Sequence, residues 1–297
     1  MEHYEGRKQM KRRDFLTLAD IDTRELMEIL SLSIEIKKVR HSYKLAGKVL
    51  AMLFAKTSTR TRVSFQTAMN LLGGHAIYLR WDETNFVKGD VKDEAKVLGL
   101  YCDAIMARVF THAQLQQIAE GCGKPVINGM DELYHPCQAL ADLLTILEVK
   151  KKFEGIKLGW VGDGTNVCNS LIRGAEMVGM KVVVATPEGY EPKSKTSAEL
   201  TRQPEYAAKD ADVLVTDTWV SLGLESEKME RLKVFKPYQL NSKLLSLAKR
   251  ECMVLHCLPA QRGYEITSEV LDSSQSKVLQ EAENRLHTTK ALLLKLI

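Results

Sequence analysis

The chain has 297 residues, 45% of them hydrophobic and 27% charged, with a formal net charge of +4. That is material for two ordinary globular domains or one large one, and so small and scattered a charge gives no argument for nucleic acid as a partner. No apolar run approaches the length of a membrane span, and the six cysteines follow no disulfide framework, so a reduced, cytoplasmic protein with no membrane association is expected.

The chain opens on a basic cluster, Arg7, Lys8, Lys11, Arg12 and Arg13, which reads as a solvated face. Short β-branched apolar runs then recur at 48–55, 75–79, 104–110 and 124–130, and again at 156–162, 180–187, 211–219 and 252–259. Helical patterns fall between them, for example at 61–72, 93–101, 166–178 and 242–249. Runs this apolar suit strands buried on both faces, and their alternation with helices predicts an α/β protein built on parallel sheets. Two sets of four runs predict two doubly wound domains, 1–134 and 135–276. The first 16 residues of the second, 135–150, form a helix between them, and 277–297 form a final long helix.

In such folds ligands bind beyond the carboxyl ends of strands, near helix starts, and the polar residues of interest sit there. After the first run, "KTSTRT" gathers Ser58, Thr59, Arg60 and Thr61 where a helix is expected to begin near Thr61. Hydroxyls, a guanidinium and free N–H groups make an anion site suited to phosphate, although no glycines flank the lysine as a P-loop requires. A well-capped helix with a solvated face is the alternative. Arg108 lies inside an apolar run, either as a surface arginine at the strand end or as a ligand for something negative. His135 and Gln138 of "HPCQ" are one turn apart at the next helix start and can both donate to a carbonyl oxygen; an ordinary cap is the plainer reading of His135. "GDGTN" (162–166) resembles a dinucleotide fingerprint lacking its third glycine. "DTWVSLG" offers Asp217 and Ser221, or is a solvated loop. "HCLP" offers His256 and Cys257, but no second Cys/His pair at zinc spacing exists, so no metal is expected.

In this order "STRTR", "HPCQALADLLT", "WVGDGTN", "DTWVSLG", "HCLPAQRG" and "EAENRLH" resemble the ornithine carbamoyltransferases, from about residue 14 to the end. The resemblance implies a carbamoyl phosphate domain, an amino-acid domain, a C-terminal helix returning to the first, and a homotrimer or multiple of trimers. It implies no cofactor. Carried over by position, Ser58, Thr59, Arg60 and Thr61 hold the phosphate. Arg108, His135 and Gln138 bind the carbamoyl oxygen, and Arg285 approaches the same ligand. Asn166, Asp217 and Ser221, with the backbone of Leu222, hold the α-amino and α-carboxylate groups of ornithine. His256, Cys257 and Leu258 position the δ-amine, the last two also lying against carbamoyl phosphate. Within residues 81–98, resembling a loop that reaches a neighbouring subunit, Thr84 stands where the family often has Gln or His.

The chemistry asks for alignment of two substrates and stabilisation of an oxyanion, with no covalent intermediate. Arg108, His135, Gln138 and Cys257 are the expected catalytic set, Cys257 acting as a thiolate that accepts from the δ-ammonium. Aspartate as acceptor would need extra cations in the second domain. Putrescine would leave Asp217 and Ser221 without an α-amino acid to read, and acetylornithine would deprive Asp217 of its ionic partner. A silent module binding a phosphorylated ligand would explain "GDGTN" and the phosphate loop but not the remaining set.

Overall fold

The apolar runs assemble into two all-parallel sheets in the computed structural model, which describes residues 14–220 and 225–297. The first sheet comprises β1 (Val49–Phe54), β2 (His75–Arg80), β3 (Ala104–Arg108) and β4 (Val126–Met130), in the order β2-β1-β3-β4. The second comprises β5 (Lys157–Val161), β6 (Lys181–Ala185), β7 (Glu199–Thr201), β8 (Val213–Val215) and β9 (Met253–Leu255), in the order β7-β6-β5-β8-β9. All eight predicted runs contain a strand. The ninth, β7, is a three-residue edge strand whose Glu199-Leu200-Thr201 is largely exposed, so it carries no apolar signature. The last run is strand only to Leu255, because His256 onward forms a turn.

The helices are α1 (Thr23–Lys37), α2 (Thr59–Leu71), α3 (Val91–Tyr101), α4 (His112–Cys122), α5 (Pro136–Lys150), α6 (Asn166–Met177), α7 (Pro204–Ala208), α8 (Lys228–Phe235), α9 (Ser242–Leu245), α10 (Ser268–Leu271) and α11 (Val278–Leu296). The pattern at 242–249 yields a single turn, capped by Asn241. Helix α2 starts two residues earlier than expected because Ser58, in extended conformation, accepts from the Thr61 amide and so acts as its N-cap. Helix α11 packs against α1, α2 and α5, and its buried Lys290 donates to the carbonyls of Ile36, Val39 and Arg40 where α1 ends.

Strand order reverses between β1 and β3 in one sheet and between β5 and β8 in the other. A doubly wound sheet opens a crevice at each such point, because the flanking connections leave for opposite faces. Both crevices carry the polar residues singled out above.

Helices α3 and α4 approach closely at Gly99, where a β-carbon would overlap the Cys122 carbonyl. Gly99→Ala is therefore expected to destabilise the fold by about 1–3 kcal/mol, read as a lower midpoint in chemical denaturation with an unchanged slope.

Candidate active site

At the end of β1 the Ser58 cap takes one amide of the α2 start, that of Thr61, at 3.3 Å, and Ser58 donates to the Thr61 hydroxyl at 3.2 Å. The amides of Thr59 and Arg60, in the first turn, stay directed out of the helix start. Thr61 is buried, Ser58 and Arg60 are half-buried and Thr59 is exposed. Four hydroxyl and guanidinium side chains thus ring a positive helix end.

Around this nest stand three more groups from the first half and from α11. Arg108 ends β3, buried, with its Nε lacking a partner. Burial, then the charges of Arg285 and Arg60, push its pKa down from 12.5 to about 10. His135 precedes α5 but its side chain caps nothing, which removes the plainer reading. Its backbone amide is held by the Ser170 hydroxyl at 2.8 Å, while its Nδ1 is buried and unpartnered. Burial and the charges of Arg285, Arg108 and Arg60 hold the imidazole pKa well below its ordinary value, so His135 is neutral and offers one N–H donor. Arg285 donates through Nη1 to the Gln138 carbonyl at 2.6 Å, and its Nε and Nη2 have no partner among the described residues. Arg108 is a buried cation whose charged neighbours are Arg285 and Arg60, a costly arrangement that suits an anionic ligand.

The structure revises the role of Gln138. Its Nε2 donates to Asp142 Oδ1 and to Glu281 Oε1, both at 2.8 Å, so neither N–H is left for a carbonyl oxygen. What Gln138 offers is the second lone pair of Oε1. Asp142 and Glu281 were not expected here. Asp142 lies four residues after Gln138 on the same helix face, a spacing that could have exposed it; Glu281 has no local signal.

In the second sheet, Thr165 caps α6 and its hydroxyl donates to Asp217 Oδ2 at 2.9 Å. Asp217, just beyond β8 and buried, also accepts from the Thr218 amide at 2.8 Å and from the Cys257 thiol at 3.1 Å. Asn166 uses its Nδ2 to hold the Asp131 carbonyl at 2.5 Å, which joins the start of α6 to the loop before His135 and keeps its Oδ1 for another partner. Ser221 and Leu222 lie outside the described residues.

Two expectations for the "HCLP" turn are corrected. Burial, the charges of Asp217 and Glu281, and the hydrogen bond to Asp217 all drive the Cys257 pKa well above its ordinary value, against a weaker pull from Arg60. Cys257 is a thiol that donates to Asp217, not a thiolate that accepts from an ammonium. Cys257→Ser keeps such a donor, so its pH–rate profile is expected to match the parent's, whereas Cys257→Ala lowers activity; a displaced profile in the serine variant would restore the thiolate. The His256 ring is buried and bonded to protein through both nitrogens, which leaves no ring N–H or lone pair for a δ-amine. Its Nδ1 accepts from the Leu258 amide at 2.9 Å, which fixes the tautomer, and Nε2 then donates to the buried Glu265 at 3.1 Å. The bond helps hold Leu258 at φ +57°, a conformation a leucine rarely adopts.

Ligand atoms of Asp217, His256 and Cys257 fall within 4.8 Å of one another. Both His256 nitrogens of this trio are already engaged, by the Leu258 amide and by Glu265, and the thiol donates to Asp217. The "GDGTN" turn is filled by protein: Asp163 pairs with Arg231 and its carbonyl accepts from Trp160, while Gly164 packs on the backbone of Glu191 and Pro192. Thr84 donates its hydroxyl to the Trp81 carbonyl at 2.7 Å, closing a local turn.

Residues 13–148 match the family model described as the carbamoyl-P binding domain of aspartate/ornithine carbamoyltransferase, and 154–296 match its Asp/Orn binding domain. The chain is 49% identical over 296 residues to an ornithine carbamoyltransferase of Archaeoglobus fulgidus, covering 95% of this chain and 96% of the relative. It is 48% identical to one of Methanocaldococcus jannaschii, covering 93% and 97%. The solved ornithine carbamoyltransferase of Pyrococcus furiosus superposes with a TM-score of 0.92 at 46% identity, covering 96% of each chain. That of Thermus thermophilus gives 0.90 at 42%, covering 97% and 99%.

Proposed function

The chain belongs to the aspartate/ornithine carbamoyltransferase family, and we infer that it transfers the carbamoyl group of carbamoyl phosphate to the δ-amine of L-ornithine, giving L-citrulline and phosphate. The observation that carries the choice of acceptor is Asp217: a buried carboxylate whose protein donors, Thr165, Thr218 and Cys257, are all neutral. Such a group suits an ammonium and repels a second carboxylate, so ornithine fits where aspartate does not.

The phosphate rests on the α2 start with Ser58, Thr59, Arg60 and Thr61. Arg108 and the neutral His135 donate to the carbamoyl oxygen, and Gln138 Oε1 accepts from the carbamoyl amide beside Arg285. The Leu258 backbone faces the same group. As the δ-nitrogen lone pair forms the new C–N bond, charge collects on the oxygen that Arg108 and His135 hold. The C–O bond to phosphate then breaks and its electron pair leaves with the phosphate, toward Arg60. With Cys257 held as a thiol, the proton lost from nitrogen goes to the departing phosphate. Asn166 and Asp217, with Ser221 and Leu222, read the α-amino and α-carboxylate groups. The reaction makes the enzyme a step of citrulline and arginine metabolism.

The domain division at 134/135 and 276/277, with α11 returning to the first domain, remains part of this reading. So does a homotrimer whose 81–98 loop, through Thr84, completes a neighbouring site. No disulfide joins the six cysteines, five of which are buried, in keeping with a reducing cytoplasm. No helix among the described residues is long and apolar enough to cross a membrane.

A citrulline assay with carbamoyl phosphate, offering ornithine, putrescine and acetylornithine in parallel and aspartate with its own product assay, tests the proposal. Turnover with ornithine alone is the expected result. Turnover with another acceptor would overturn the roles given to Asp217 and Asn166. No turnover at all, with a melting shift by carbamoyl phosphate, would leave a binding module.

A further inference from the structure

We propose that Asp142 and Glu281 act as a pair of positioning residues, sharing one proton, that fixes the Gln138 amide with its carbonyl oxygen toward the carbamoyl group. The proposal rests on the reading of the site given above. Asp142 on α5 and Glu281 on α11 are both buried, and a single NH₂ group, Gln138 Nε2, donates to one oxygen of each at 2.8 Å. An amide has two orientations. Reversed, Gln138 would set its oxygen against two carboxyl groups and its NH₂ against the Arg285 guanidinium, so only the observed orientation satisfies all three neighbours.

Two carboxyl groups held on one donor in a dry site do not both ionise. The groups facing them are Arg285, Gln138, the His256 amide, Asp217 and Cys257, and among these Arg285 is the cation. Burial, then the charge of Asp142 and the hydrogen bond to it, hold Glu281 well above the usual carboxylate range, while burial lifts Asp142 to about 6 against the hydrogen bonds of Gln138 and Glu281. Asp142 Oδ2 is buried without a partner among the described residues, and a proton on Glu281 supplies one. The pair then carries one negative charge, which balances Arg285 and leaves Arg60 and Arg108 to meet the anionic substrate. Glu281 Oε2 also accepts from the His256 amide at 2.9 Å, so the same pair ties the "HCLP" turn to the carbamoyl subsite.

Infrared difference spectroscopy and kinetics of Asp142→Asn and Glu281→Gln test this. Asparagine at 142 keeps an acceptor for Gln138 and can donate to Glu281 in place of the shared proton. Glutamine at 281 loses an acceptor, for either Gln138 or the His256 amide. The parent enzyme at neutral pH is expected to show the carbonyl stretch of a buried protonated carboxylic acid, absent from both variants. Affinity for a non-hydrolysable phosphonate analogue of carbamoyl phosphate is expected to weaken in the parent at alkaline pH, as the shared proton leaves, and to stay level in Asp142→Asn. In Glu281→Gln, kcat is expected to fall ~10–100-fold while KM for ornithine stays within about twofold. A missing band in the parent, or one persisting in both variants, would sink the shared proton. Parent-like kcat and analogue affinity in both variants would sink the positioning role. The spectrum and the analogue titration need no acceptor, so they decide the pair even if the ornithine reading fails. If Glu281→Gln does not fold, Asp142→Asn carries the test alone.

Discussion

Replacing Arg108 by methionine is expected to lower kcat/KM for carbamoyl phosphate by ~10²–10³-fold while leaving Tm unchanged or raising it. The kinetic loss follows from position: Arg108 ends β3 at the reversal between β1 and β3, buried beside Arg60 and Arg285. An oxyanion donor in a water-excluded site acts at the transition state, so kcat falls as well as affinity. The stability result has the opposite sign to the usual loss of a buried side chain. With its pKa lowered from 12.5 to about 10, the folded protein disfavours the guanidinium charge by about 3 kcal/mol at neutral pH. That cost is fully present below pH 10 and fades only as pH rises from there towards 12.5. Methionine removes the charge and keeps an unbranched apolar stem. Thermal unfolding of parent and variant, read beside their kinetics, checks both halves. A large drop in Tm with proportionate loss of activity would make Arg108 a structural residue.

The cost of that charge also shows which parts of the molecule were legible in the sequence. Strands announce themselves as apolar runs, most clearly where they are buried on both faces as in "VLAMLF" and "AIMAR"; all eight runs hold a strand, although β2 is only partly covered. β7 was illegible because an exposed edge of three residues needs no apolar run, and α1 because it precedes the first strand and so falls outside the alternation. Side-chain types drew attention to the candidate positions, since an arginine in an apolar run or a cluster of hydroxyls at a strand end has few structural uses. Directions of hydrogen bonds were not legible. Gln138 reads as a donor until two carboxyl groups from different helices occupy both its N–H groups, and one of these lies 143 residues away. Cys257 reads as a thiolate until its burial and its place beside Asp217 are seen to keep the proton on sulfur. Protonation belongs to the three-dimensional neighbourhood, and no short motif contains that neighbourhood.

Asp217→Asn is expected to do to the acceptor what Arg108→Met does to the donor: kcat/KM for ornithine falls ~10²–10³-fold while affinity for carbamoyl phosphate changes little. Ornithine in solution carries two ammonium groups and one carboxylate, and it approaches a site already holding Arg60, Arg108 and Arg285. Asp217 supplies the opposing charge, and its neighbours keep that charge available because they donate hydrogen bonds without adding a cation. The other acid of this crevice, Asp163, cannot substitute: Arg231 already pairs with it, and burial lifts its carboxyl to about 6 despite that pairing. Asparagine at 217 keeps the shape and one acceptor oxygen, so Thr165, Thr218 and Cys257 must compete for it while the new NH₂ faces a donor. The predicted signature is therefore a rise in KM for ornithine together with a fall in kcat, because the charge lost is needed both to seat the α-amino group and to aim the δ-nitrogen. An unchanged KM for ornithine would remove Asp217 from the acceptor site. Equal losses toward both substrates would mean that the carboxylate holds the two crevices together instead of reading the amino acid.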